Sequence, residues 1–127
     1  MYDEILQAVI AMASAAVNVQ IVTGSMPPHN GIAMTGTSGP ESIFLDIGNN
    51  ERMAIICNGK NVNHRTIIRQ LDAIHAALTR RKDFPCGALW QIYSIETIAS
   101  PRLIGREENS QWLYASSLLV KFNTKGI

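Results

Sequence analysis

Apolar and polar positions follow two different periods along this chain, and the switches between them mark its elements. From residue 4 to 17, Ile5, Val9, Met12 and Ala16 recur at helical spacing, and Leu6, Ile10 and Val17 widen that stripe. Asp3 stands where an N-cap belongs, and Asn18 ends the pattern. The rest of the helix surface (Gln7, Ala8, Ala11, Ser14, Ala15) is small and, beyond Glu4, uncharged. Such a face suits burial within its own domain or contact with another subunit, and both readings stay open. Val19–Thr23 starts a strand. Residues 24–42 are punctuated by Gly and Pro, with room only for a short strand at Ile32–Met34. Ile43–Ile47 and Met53–Cys57 read as a β-hairpin around the turn Gly48–Arg52, and Asn58-Gly59 breaks the second strand.

Asn63 caps a second helix over residues 64–81, about 27 Å long. Ile67, Leu71, Ile74 and Leu78 fall on one side of it, with Ile68 at the edge. Arg65, Arg69 and Arg80 cluster opposite, as a solvated face or as a contact for a partner with acidic groups. Lys82–Gly87 forms a turn into a strand at Trp90–Ala99. Gln111–Phe122 forms another, both rich in β-branched and aromatic residues. In the second, Trp112, Tyr114, Leu118, Val120 and Phe122 share one face at period two. In the first, Tyr93, Ile95 and Thr97 alternate with Ile92, Ser94 and Glu96. The link Ser100–Ser110 is too long for a tight turn. With Pro101, Gly105, Arg102, Arg106, Glu107 and Glu108, it reads as a polar surface loop or an arm reaching a partner.

A chain of 127 residues is the size of one domain and can bury a core without staples. Its formal net charge of +1 gives no electrostatic case for a dedicated nucleic-acid binder. Cys57 and Cys86 are the only cysteines; without C-x-x-C spacing they read as free thiols in a reducing compartment. Asp3 and Glu4 replace the basic start of a signal peptide, and no apolar run approaches a membrane span. These features predict a soluble intracellular protein.

Little in the sequence suggests chemistry. No phosphate-cradling loop is present, because the glycines of residues 24–42 lack a following Lys-Ser/Thr and helix. His64 and His75 share a helix face but lie about 16 Å apart along the axis, so one metal cannot join them. Both flank the apolar stripe and read as boundary side chains with local hydrogen bonds. No spacing supports a Cys–His nucleophile. The adjacent carboxylates Asp3-Glu4 and Glu107-Glu108 are poorly placed to flank a substrate. Trp90, Tyr93, Trp112 and Tyr114 are expected to pack within or across strands. The expectation is therefore a protein that is not an enzyme and uses no cofactor or metal.

Several ordered segments carry a resemblance. They are Met26-Pro-Pro-His-Asn-Gly-Ile32, Asn58-Gly-Lys-Asn61, Ala73-Ile-His-Ala-Ala-Leu78, Trp90-Gln-Ile, Ser100-Pro-Arg and Glu108-Asn-Ser-Gln-Trp-Leu-Tyr114, leading into Leu118-Leu-Val-Lys-Phe122. Together they resemble the tail terminator-like minor capsid proteins of long-tailed bacteriophages. The resemblance implies a single α+β domain over residues 1–127, with two helices packed on a mainly antiparallel sheet. It implies a ring, usually a hexamer, that caps the head-proximal end of the tail tube and presents a surface to the head. Its partners would be copies of itself, the tail tube protein and the head–tail connector, with no membrane and no specific nucleic acid. It would be assembled in the host cytoplasm and reside in the virion tail. The expected partner-contact residues are Met26, Pro27, Pro28, Arg102, Ile104, Arg106, Glu107 and Glu108 in the two long loops. A head-completion or connector protein of the same joint is the alternative within this class. A small nucleic-acid-binding module is the alternative outside it.

Overall fold

The computed structural model describes residues 2–27, 29–36 and 50–124. Helix α1 spans Tyr2–Val17 and stops at Asn18, whose φ of 55° is a left-handed conformation that ends helices. Asp3 lies inside the first turn rather than capping it from outside, and there its charge still complements the helix dipole. The buried stripe is Ile5, Leu6, Val9, Ile10 and Ala13. It follows four-residue steps more closely than expected, so Ala13 turns inward and Ala16 faces solvent. Gln7, Ala11 and Ala15 also remain exposed, so the domain does not cover that part of the small face.

Five strands form one sheet in the order β1-β2-β3-β5-β4. They are β1 (Ile21–Thr23), β2 (Gly31–Gly36), β3 (Asn50–Asn61), β4 (Trp90–Arg106) and β5 (Trp112–Thr124). β1 pairs with β2 in parallel; every other pairing is antiparallel. Helix α2 (His64–Thr79) follows β3 and packs beside α1 on the same sheet face. The fold is thus α+β, as expected. The Asn63 carboxamide caps α2 by accepting from the amides of Arg65 and Thr66. The helix ends at an Arg80 C-cap, slightly short of residue 81. Ile67, Leu71, Ile74 and Leu78 are fully buried against Met34, Ile55, Leu118, Val120 and Phe122. Each such side chain contributes about 1.5–3 kcal/mol of transfer free energy.

Several boundaries differ from the sequence reading. The first strand begins at Ile21, two residues later than expected, and Ile32–Met34 is the centre of a longer β2. Residues 43–47, expected as half of a hairpin, lie outside the described residues. Met53–Cys57 is the middle of β3, paired with β5 throughout and, from Ile55 onward, with β2 on the other side. Asn58-Gly59 does not break that strand. Gly59 lies beneath Ile67 of α2, whose Cδ1 occupies the place of a Cβ, so glycine here permits close helix–sheet packing.

The largest difference is the link Ser100–Ser110. Most of it is strand: β4 continues to Arg106, and only residues 107–110 turn. Pro101 and the charges suit an edge strand, which lacks a second neighbour. Register shifts at four places let β4 bend along β5. One shift lies between Ile92 and Ser94, so Ile92 and Ile95 are both buried while Tyr93 points outward. The strict alternation expected for this strand is therefore broken. On β5 it holds, with Tyr114, Leu118, Val120 and Phe122 all inward.

Candidate assembly surface

One end of the sheet gathers the start of β2, the end of β3, the β4–β5 turn and the start of α2. The Asn30 amide donates to Gln111 Oε1 at 2.8 Å, and the Val62 amide donates to Asn30 Oδ1 at 3.0 Å. Gln111 is buried. The turn closes through the Glu107 amide on the Gln111 carbonyl (2.8 Å) and the Ser110 amide on the Glu107 carbonyl (3.0 Å). Ser110 takes a left-handed φ of 66°. Lys60, only 6% exposed, donates to Glu107 at 2.8 Å and anchors the turn to β3. Removing Glu107 would leave the buried Lys60 ammonium unpaired, which makes this pair more consequential than an ion pair between two exposed groups, although Glu107 itself is exposed. The Arg106 guanidinium lies 5.1 Å from the Trp112 ring, within cation–π range, and the His64 ring is 5.3 Å from the same indole. Lys60, Arg106, Glu107, Glu108 and Asn109 line an open groove of about 570 Å³.

The structure therefore joins the two expected contact regions. Met26 and Pro27 lie in the β1–β2 link, half-buried, and the Asn30–Gln111 bond ties that link to the β4–β5 turn. Pro28 lies outside the described residues. Glu107 and Glu108 sit in the turn as expected, but Arg102, Ile104 and Arg106 belong to strand β4 and not to a loop. Asn30, Lys60 and Gln111 organise this end; each falls in a segment that carries the resemblance, yet none is among the expected contact residues, because their partners are remote in the chain.

The sheet face away from the helices exposes Ile56 and leaves Ala54, Leu113, Ala115 and Leu119 half-buried. Glu96 and Lys121 form an ion pair between β4 and β5. Where β4 parts from β5 between Ala99 and Arg102, a depression of about 190 Å³ opens. Tyr93, Ile98, Leu103 and Ile104, all on β4, are exposed large side chains.

Two polar core groups were candidates for chemistry. His75 is buried and not at a boundary: its Nδ1 is 2.9 Å from Thr97 Oγ1 and its Nε2 2.8 Å from Ser116 Oγ. It thereby links α2 to β4 and β5. Burial lowers its pKa, opposed by the nearby Asp72 charge. Ser116 also hydrogen-bonds Cys57, completing a chain from thiol to imidazole. Burial pushes that thiol up to about 12, against the opposing Ser116 bond. A thiol held protonated at neutral pH is no nucleophile. Among the described residues, no three His, Cys, Asp or Glu side chains are grouped to hold a metal. Nor is any described helix long and apolar enough to cross a membrane.

No protein-family model matches the chain, and no curated protein does. Its fold matches a solved virus-like particle. That structure is described as the virion of a native gene transfer agent particle. The match has a TM-score of 0.62 and covers 95% of this chain and 94% of the other, at 14% identity. At that identity the likeness is one of fold.

Proposed function

We propose that this chain is a structural protein of a phage-like virion, acting as a ring that caps the head-proximal end of the tail tube. The observation that carries the reading is the near-complete overlap of its fold with a chain of a gene transfer agent virion. The surface chemistry supports it. The β1–β2 link with Met26 and Pro27 meets the β4–β5 turn with Glu107 and Glu108 at one end of the sheet, held by Asn30, Gln111, Lys60 and Glu107, while Arg102 and Ile104 lie further along β4. Four exposed large side chains, Tyr93, Ile98, Leu103 and Ile104, lie on one edge strand, where a protein contact can use them. The activity is binding and assembly, with no bond made or broken. A closed ring requires one patch to meet a different patch on the next copy. The groove end would face the tube or the head-side connector.

Capping of polymerising tail tube protein tests this. Added in small amounts, the protein should stop growth and be found at one tube end. Unchanged tube growth, with binding instead to the isolated head connector, would move it to the head-completion role. Failure in both assays would sink the virion-joint reading.

A further inference from the structure

Strand β4 is held unevenly along its length. In its first part Trp90, Ile92 and Ile95 are buried in the core. From Thr97 to Arg106 no residue is buried, and Ile98, Leu103 and Ile104 are each more than half exposed. Three of the four register shifts against β5 also fall in this outer part. A bulged ladder loses pairing, and a segment with few buried apolar contacts opens before the rest of a domain.

Side-chain ties join the outer part to the body at both ends. Beside the turn, the Arg106 guanidinium lies 5.1 Å from the Trp112 ring, and Glu107 accepts from Lys60 at 2.8 Å. At the other end, the Thr97 hydroxyl is 2.9 Å from Nδ1 of the buried His75. The second ring nitrogen is 2.8 Å from Ser116 Oγ on β5, and Ser116 also bonds Cys57 on β3. Thr97 is exposed, so it forms the solvent side of this buried chain.

We infer that residues 97–106 form a strap that opens without unfolding of the rest, and that His75 makes the opening acid-sensitive. Opening removes the Thr97 hydroxyl and lets water reach the imidazole. A neutral ring donates through one nitrogen and accepts through the other. Protonation makes both nitrogens donors, so the hydroxyl that had been donating must reverse. Burial also disfavours the charged ring while the strap is closed. The open state therefore binds the proton more readily. The closed state is fully favoured above about pH 6.5 and loses ground as pH falls below that value. The Asp72 charge on α2 opposes this without reversing it. Among the described residues of the other packed elements, Cys57 on β3 is held as a thiol and Tyr114 is the phenol on the inner face of β5. Glu96 on β4 pairs with Lys121, and the buried stripe of α1 is uncharged. Opening bares the β5 edge from Trp112 to Ser117, so the surface on this side of the sheet changes with acidity.

Amide exchange of the full-length protein, followed by NMR without denaturant, tests this. After correction for the intrinsic effect of pH, the β5-bonded amides of residues 97–106 should exchange at least about tenfold faster than those of residues 90–95 and than the β3-bonded amides of β5. The opening constant of the strap alone should rise several-fold, up to about tenfold, from about pH 7.5 to 5.5, as for a group that is protonated near pH 6.5 only when open. Thr97→Val, at an exposed position, should increase opening several-fold at neutral pH, and His75→Gln should remove the dependence on pH. Exchange of residues 97–106 at the rate of the rest of the sheet would overturn the strap. An opening constant that ignores pH, or the same rise in a folded His75→Gln protein, would overturn the role of His75. If that variant does not fold, the His75 ring titration of the wild-type protein decides. A native midpoint below about pH 6.5 supports the role, and one at or above it overturns it.

Discussion

A side chain at position 59 would collide with Ile67, which makes this glycine the point of closest approach between α2 and the sheet. Gly59→Ala should cost about 1–3 kcal/mol in urea unfolding, the usual range for overpacking a tight core. Gly105→Ala is the contrast, because open space surrounds that position and its φ is not left-handed. Its effect should stay within about 0.5 kcal/mol. His75 supplies a pH dependence. Burial lowers its folded pKa below the ordinary 6.5, so the unfolded chain binds the extra proton more readily. Its contribution is complete above about pH 6.5 and is lost as pH falls below that value. Asp72 moderates the effect without reversing it. Urea titrations from about pH 7.5 to 5.5 should show falling stability, and His75→Gln should flatten that slope. An identical slope in the variant would contradict the assignment.

At the scale of elements, α2 was the most legible part of the chain. A cap residue, a 3.6-residue apolar period and an unbroken run all agree there, and the structure follows them almost to the residue. Asn63→Ala removes acceptors for two amides and should lower stability by about 1 kcal/mol in thermal unfolding. A change indistinguishable from zero would show that water replaces the cap. β5 was legible for a similar reason, since one of its faces is buried continuously. β4 was only half legible. Pro101, Gly105 and four charges imitate a loop, and only the place of β4 at a sheet edge lets these residues remain in a strand. Asn58-Gly59 misled in the same way: a turn dipeptide by composition became a strand once a helix packed over it. The parallel pairing of β1 with β2 depends on contacts that no local pattern encodes. For the candidate surface, the turn acids Glu107 and Glu108 were read directly. Lys60 and Gln111, which hold the turn, lie in segments that carry the resemblance, but their structural role was not legible, because each gains it from a partner far along the chain.

Taken whole, the molecule is a one-sided sheet. Among the described residues, two helices close one face, while the edge strand β4 and part of the other face expose apolar side chains. His75, Ser116 and Cys57 form a buried polar chain, and the exposed Arg106, Glu107 and Glu108 line a groove at one end of the sheet over the buried Lys60. That arrangement suits a building block whose work is done by its surfaces. The most direct test is the solution mass across a wide concentration range, with and without tail tube ends. The account predicts a shift from monomer to one closed oligomer of fixed copy number, in solution or on the tube ends. A dimer that never grows, or a monomer that ignores tube ends at every concentration, would contradict it.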